Sequence, residues 1–303
     1  MKRVIILGST GFFGGILLER LRAAGLQPIG ASRSSAEMRI DANNPDDIRA
    51  NLKPRDLVID AAGPFQTRTP ALIDAALRIG FDIIDLSDSP EYTSLMYDRA
   101  APIQAAGIRV LPACSTLSTL TAIVVQSSPI EKPGRVAVYL KPESRLTANR
   151  GAIESFLQSI ESGERGGLRV KSVDAVTLPR IFPSLKRIEF IVDAGFAGNT
   201  VLQFDWFRRK LARNIDRAAK IARKIGNTRG RVRFEVASLL HARSLTFTGQ
   251  KSYMLAVLPA VLAATAIVNG KFPHRGIVPH TQHVTRDELF EAIRAEGIEI
   301  AGA

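Results

Sequence analysis

Residues 4–21 read VIILGSTGFFGGILLERL: four apolar residues, a glycine-studded turn and an amphipathic run. Val4, Ile5, Ile6 and Leu7 form the uninterrupted β-rich run expected of a parallel strand covered on both faces. The period then changes. Gly8, Gly11 and Gly14 stand three apart, and Ile16, Leu17, Leu18 and Leu21 continue as one stripe of a helix whose wet side carries Glu19, Arg20 and Arg22. A helix starting near Gly11 aims backbone N–H groups and the positive end of its dipole at the strand's end, where a pyrophosphate can sit. In that geometry Gly8 allows the tight turn, Gly11 lets a ligand approach the backbone, and Gly14 lets helix and strand pack closely. Ser9, Thr10, Phe12 and Phe13 complete the candidate phosphate-binding set. Glycine turns of this spacing also occur with no ligand, so the surrounding pattern decides.

That pattern is an alternation of strand and helix signals over about the first 115 residues. Residues 27–31 and 38–40 read as strands two and three, and Asn44-Pro45 caps and opens a short helix toward Leu52. A fourth strand, Leu57 to Ala61, ends at Gly63-Pro64. A helix from Pro70 stops at Gly80, a strand follows over Asp82 to Leu86, one helix runs from about Pro90 to Gly107, and Ile108 to Leu111 closes the series. The expected fold class is α/β: an N-terminal Rossmann-type, doubly wound parallel sheet with ligands at the strand carboxyl ends, plus a mixed α+β substrate domain. The expected division is 1–117 and 118–303.

The end of the second strand selects the nucleotide. An NAD site places an Asp or Glu there for the ribose 2′-hydroxyl. Here the chain reads Ala31-Ser32-Arg33-Ser34. Arg33 can pair with a 2′-phosphate and stack on adenine, with Ser32 and Ser34 as flanking donors, so NADP(H) is the expected cofactor. The other reading of Arg33 is a solvated loop arginine. Ala61, Ala62, Gly63 and Pro64 would let the cofactor pass over the backbone at the end of the fourth strand. Asp41 either meets the adenine edge or serves its own turn.

Composition bounds the rest. The 303 residues are 46% apolar with a mean hydropathy of +0.06, enough for a large core in one or two domains. A lone cysteine, Cys114, excludes an internal disulfide framework, and no signal peptide is legible, which together lead us to expect a cytoplasmic protein. The longest apolar stretch, Met254 to Val268, is too short to span a bilayer and contains Pro259; a buried helix over 252–269 is expected instead, at the domain junction and packed back on the first domain, or at a dimer interface.

From about Ser118 the texture changes. Residues 136–140, 187–192 and 232–236 alternate like strands with one buried face, and helices are expected over 152–161 and 205–225. Between Arg208 and Arg233 stand eleven lysines and arginines against one acid, Asp216, so nearly all of the net charge of +12 lies there. Such a run is usually a solvated helix face, which is the preferred reading. It could also attract an anionic substrate, acidic lipid or nucleic acid, with Trp206 and Phe207 beside it able to dip into a membrane surface. No nucleic-acid-binding signature accompanies it, so nucleic acid is not an expected partner.

Five stretches together resemble the saccharopine dehydrogenase-like, NADP-binding oxidoreductases: LGSTGFFGG, VIDAAGPFQ, the segment from IIDLSD to AAGIRVLPA, ANRGAIESFLQSI, and GKFPHRGIVPHTQHVTRDELFEAIRAEGI. They span nearly the whole chain, the first three being the more specific. The resemblance implies an NADP(H)-binding Rossmann domain followed by a mixed domain that shapes a small-molecule pocket and often mediates homodimerisation. Many relatives carry a glycine-rich turn after the sixth strand, where this chain has Pro112-Ala113-Cys114-Ser115-Thr116. The alternative of a short-chain reductase requires a tyrosine four residues before a lysine. Tyr92, Tyr97, Tyr139 and Tyr253 are followed at that spacing by Met96, Ala101, Glu143 and Val257, so that machinery is absent. A non-catalytic NADPH-binding regulator passes the same test.

Because a nicotinamide carries the hydride, the protein need supply only orientation and one proton donor. The candidates are Cys114, Tyr139, Lys141 and His280, with His241, His274 and His283 as further acid–base groups. Cys114 follows the last strand of the first domain, either lining the pocket or acting as a small buried thiol. The histidines lack a carboxylate or thiol at a ligand spacing, so no metal site is expected.

Overall fold

The computed structural model describes residues 2–34, 37–116, 118–164 and 166–302. In chain order the first strands and helices are β1 (Val4–Leu7), α1 (Phe12–Ala23), β2 (Pro28–Ser32), β3 (Met38–Arg39), α2 (Pro45–Asn51), β4 (Leu57–Asp60), α3 (Ala71–Ile79), β5 (Asp82–Asp85), α4 (Pro90–Tyr97), α5 (Ala100–Ala106), β6 (Arg109–Leu111) and α6 (Thr119–Ser127). Then come β7 (Arg135–Lys141), α7 (Ser144–Thr147), α8 (Arg150–Ser159), β8 (Ile160–Glu164), β9 (Gly167–Val170), α9 (Asp174–Ile181), β10 (Arg187–Val192), α10 (Gly195–Val201), α11 (Asp205–Ala212), α12 (Ile215–Ile225), β11 (Gly230–Ala237) and β12 (Ala242–Gly249). The chain ends through α13 (Leu258–Val268), β13 (Gly276–Ile277), α14 (Arg286–Ala295) and β14 (Glu299–Ala301).

Two compact units result, Met1–Leu120 with Ala256–Leu289, and Thr121–Leu255 with Phe290–Ala303. The sequence reading placed one junction at residue 117, which lies outside the described residues. The chain crosses between units three times, because α13 and β13 return to the first unit.

The first unit is built on a seven-stranded sheet in the order β13-β6-β5-β4-β1-β2-β3, parallel throughout. This is the doubly wound order expected from the alternating signals. Ile5, Leu7, Val58, Ile83 and Val110 share one core with Leu72, Ile73 and Ala76 of α3 and Met96 of α4. Ile6, Ile59 and Ile84, at the alternate positions, are buried as well. The two-sided burial is why β1 reads as a continuous apolar run. Helix boundaries follow local chemistry: the Asn44 side chain accepts from the N–H groups of Asp46 and Asp47, and Gly80 and Gly107 close their helices in left-handed conformation.

Three sequence expectations are corrected. The single helix over 90–107 is two, α4 and α5, because Pro102 lacks an N–H and its ring clashes with the carbonyl four residues back, at Asp98. The helix over 205–225 is likewise two, with Asn214 between them. The helix over 252–269 begins as a 3-10 turn, Ser252–Ala256, and becomes α-helical only where Pro259 takes the first turn of α13.

The second unit carries a seven-stranded sheet, β14-β12-β11-β7-β10-β9-β8, antiparallel except for β7 with β10. Val136, Val138, Val232, Phe234 and Phe247 are buried on one face, where Phe247 meets Phe234 and Phe290 edge-to-face. On the other face Glu189 is gripped by Arg135, Arg169 and Arg187 at 2.8, 2.9 and 2.8 Å. Those guanidiniums hold its carboxyl below the usual range against the opposing effect of burial.

The turn from β1 into α1 is as close as backbone can pack. A Cβ on Gly14 would lie 2.1 Å from the Gly8 carbonyl oxygen, whereas one on Gly15 would meet nothing nearer than 3.8 Å. Gly14→Ala is therefore expected to cost about 1–3 kcal/mol. Gly15→Ala is expected to gain about 0.5–1 kcal/mol through helix propensity. Urea unfolding of both variants checks this; equal effects would contradict the packing described.

Candidate functional site

The carboxyl edge of the parallel sheet gathers the chain segments that sequence reading singled out. Gly8 adopts φ +76°, and a Cβ there would lie 2.6 Å from the carbonyl oxygen of Ala61. The end of β4 therefore lies directly against the glycine turn, with Ala61 and Ala62 half-buried and Gly63 exposed beyond them. Ser9 ties the turn to β2: its N–H and its hydroxyl both donate to the Ala31 carbonyl, at 3.1 and 3.2 Å. Gly11 donates to the Gly8 carbonyl at 2.9 Å and stands at the N-cap of α1. No side chain caps that terminus and no acid occupies its first turn, so its dipole faces outward uncompensated by protein charge. Thr10 and Gly11 are exposed; Phe12 and Phe13 are half-buried, their rings 5.2 Å apart and edge-to-face.

At the end of β2, Ser32 is buried while Arg33 and Ser34 are exposed, and among the described residues Arg33 has no carboxylate partner. Glu37, the acid that follows, pairs with Arg22 at 2.9 Å. Asp41 serves its own turn: its carboxylate accepts from the Asn43 N–H at 2.9 Å and its N–H donates to Asp47.

Sequence reasoning missed a buried ionic cluster at the same edge. Asp60 and Asp85 end β4 and β5 side by side. Arg68 reaches back from the loop before α3 to pair with Asp60 at 2.6 and 3.2 Å and to donate to the Ala62 carbonyl at 2.9 Å. It lies over the rings of Phe65 and Tyr92, at 5.8 and 5.4 Å. Burial opposes the Arg68 charge, but Asp60 more than restores it. Burial, with the neighbouring Asp60 charge, pushes the Asp85 carboxyl well above its usual range, while its Oδ2 accepts from the Ala113 N–H at 3.1 Å. Arg68 pairs with Asp60 alone, so burial beside the Asp60 charge acts on Asp85 with no ion pair of its own to offset it. The loop carrying Ala61–Pro64 is thereby fastened from beneath.

The structure brings two of the four catalytic candidates together. Cys114 follows β6 and His280 follows β13, the neighbouring strand. Between them run Thr119 and His283: the Thr119 hydroxyl lies 2.8 Å from His283 Nδ1, and His283 Nε2 lies 3.1 Å from the Val278 carbonyl. Because only a donor can face that carbonyl, Nε2 carries the proton and Nδ1 accepts from Thr119. The His280 and His283 rings stand 4.7 Å apart. Every member of this group is fully buried. Burial raises the Cys114 thiol, lowers His280 to about 3 and sends His283 well below its ordinary value, so all three are neutral near pH 7. Tyr139 and Lys141 lie two apart on β7 in the second unit, on the strand face opposite Val138 and Leu140; the Tyr139 hydroxyl is 3.4 Å from Arg135. His241 joins neither group; the His274 charge adds a small push to the lowering of His283.

No family model matches the chain. One relative is named a "Probable mitochondrial saccharopine dehydrogenase-like oxidoreductase", from Arabidopsis thaliana; it is 25% identical over 201 residues. That stretch is 54% of this chain and 44% of the relative, so the match spans less than half of that protein's length. The similarity agrees with the resemblance read from the sequence. Similar solved structures include an oxidoreductase from Thermotoga maritima, 13% identical with a TM-score of 0.41, covering 97% of this chain and 95% of that one. Another is the WlbA (WbpB) dehydrogenase from Thermus thermophilus, solved with NAD and UDP-GlcNAcA: 12% identical, TM-score 0.38, covering 97% and 93%. Likenesses of that size carry no argument about chemistry; the fold assignment rests on the strand order.

The buried histidines make stability depend on pH with a definite sign. An unfolded histidine takes up a proton near pH 6.5, whereas folded His280 stays neutral down to about 3. Below pH 6.5 the unfolded chain binds a proton that the folded chain does not. His280 therefore removes about 1.4 kcal/mol of stability per pH unit as the pH falls through that window. His280→Gln lacks this slope, so its stability relative to the parent should improve steadily from pH 6.5 to 4.5 in urea unfolding. Parallel pH curves would contradict the neutral, buried assignment.

Proposed function

We propose that the chain is an NADP(H)-dependent oxidoreductase that moves hydride to or from a C=O, C=N or C=C bond of a small substrate. The observation that carries this reading is the edge shared by the glycine turn and the end of β2. A backbone cradle that a Cβ would fill at Gly8 and Gly14 faces an uncapped helix terminus, and beside it stands Arg33 in place of a carboxylate.

The residues present fit a dinucleotide. The turn from Gly8 to Gly14 would take the pyrophosphate on backbone N–H groups. Arg33 and Ser34 would take a 2′-phosphate, Arg33 by a bidentate contact that an Asp or Glu would oppose. Ala61 to Pro64, held by Arg68, would give a smooth wall on the far side of the turn. When bound, the nicotinamide supplies the hydride chemistry, leaving the protein to orient substrate and furnish a proton. The similarity to oxidoreductases supports the same class. We place the substrate with the second unit, and we take a homodimer as the working assembly.

A second reading, a non-catalytic NADPH-binding regulator, draws on the burial and neutrality of Cys114, His280 and His283. Turnover of NADPH with a panel of carbonyl and imine compounds separates the two: a regulator binds without turnover.

Titration with NADPH and NADH tests the cofactor assignment. NADPH should bind at least about tenfold more tightly, about 1.4 kcal/mol, and Arg33→Asp should abolish that preference while leaving NADH binding in place. Equal affinity for both nucleotides in the parent protein would remove the role given to Arg33, and binding of neither would end the oxidoreductase reading.

A further inference from the structure

The basic run of the sequence folds into α11 and α12, which pack against each other and against α8, with α7 against α12. Arg208 pairs with Asp205, and Asp216 pairs with Arg150. The seven other cations between Arg209 and Lys224 are exposed and have no carboxylate partner among the described residues. Lys220 and Lys224, four residues apart on α12, are a like-charged pair of the kind that weakens an isolated helix.

Exposed apolar side chains stand on the same helices and beside them: Ile225 of α12 is 75% exposed and Trp206 of α11 60%, and Phe204, Ile221 and Leu146 are each more than half exposed. On α12 the buried line runs through Ile215 and Ala219. Ile221 and Ile225, one turn apart, lie outside that line, flanked by Arg217 and Lys224. On α11 Trp206 stands one turn before Arg209 and Lys210, its ring edge-to-face with Phe207 at 5.5 Å. Exposed aromatic and aliphatic side chains rimmed by unpaired cations form the two-component surface that lies in a membrane interface: apolar groups enter the acyl boundary, and long cationic side chains reach the headgroups.

We propose that the α11–α12 surface docks the protein on a membrane rich in anionic lipid. Charge decides among occupants. A second copy meeting this patch through a two-fold axis would set the unpaired cations against their own image. A nucleic acid would satisfy the cations but would leave Ile221 and Ile225 without a partner, since bases stack on aromatic rather than aliphatic groups. A bilayer bearing anionic lipid answers both components. This docking is independent of the cofactor assignment.

Trp206 is the chain's one tryptophan, so its emission reports directly on the patch. The 303-residue chain is mixed at physiological salt with phosphatidylcholine vesicles, with and without phosphatidylserine. Trp206 emission should shift to the blue, and the protein should sediment, with the phosphatidylserine vesicles only, and added salt should weaken both. Arg209→Gln/Lys210→Gln/Lys220→Gln/Lys224→Gln should lose at least about tenfold in partitioning. Ile221→Ser/Ile225→Ser should weaken binding while keeping its salt dependence. Thermal melts verify that both variants fold, and the parent's salt titration stands if either does not. The proposal is overturned if vesicles with phosphatidylserine leave emission and sedimentation unchanged, or if neutral vesicles bind equally. It is overturned too by a blue shift with single-stranded RNA but not with vesicles, or one that grows with protein concentration alone.

Discussion

The candidate site depends on one backbone contact: the carbonyl of Gly8 occupies the space where a Cβ of residue 14 would be. Because helix and turn touch without side chains between them, the start of α1 is fixed just beyond the end of β1 rather than a side chain's width away. The same economy acts on the other side, where Gly8 leaves no room between itself and Ala61. Three adjoining strand ends, β2, β1 and β4, are thereby drawn to one narrow edge, and Ser9 holds the first of them through the Ala31 carbonyl. A helix terminus so placed offers an anion backbone donors at a distance no side chain obstructs.

A second constraint secures the outer wall. Burying Asp60 and Asp85 together is costly, and Arg68 lowers the cost only by sitting nearly dry between two aromatic rings and the Ala62 carbonyl. The loop after β4 is thus pinned by charge, where the glycine turn is pinned by contact.

Much of the first unit was legible because its signals are local. The capping asparagine at 44 and the left-handed glycine at 80 each act within a few residues, the helices they bound fall where expected, and so does the continuous apolar run of β1. Pro102 was legible too, but its effect on the helix before it outweighs the apolar pattern that made 90–107 look continuous. β13 is two residues long and carries no periodicity; only pairing with β6 makes it a strand. The sequence reading missed α14, although Thr285 and Glu288 cap it reciprocally. At the candidate site, the glycine turn and the arginine after β2 are local features and so stand out in the sequence. The Arg68 cluster and the Thr119–His283 pair, 164 residues apart, do not, because long-range closure alone brings them together. The basic run and Trp206 beside it were legible in the sequence, whereas the half-burial of Phe207 and the exposure of Ile221 and Ile225 emerge only once the helices are packed.

The central claim is that the turn from Gly8 to Gly14 is a nucleotide cradle whose neighbour Arg33 reads a 2′-phosphate. The most direct measurement is a crystal structure of the protein grown with NADPH. The account predicts pyrophosphate density against the backbone N–H groups at the start of α1 and the 2′-phosphate within hydrogen-bonding distance of the Arg33 guanidinium. A nucleotide bound elsewhere, or one whose 2′-phosphate points away from residues 32–34, would contradict it.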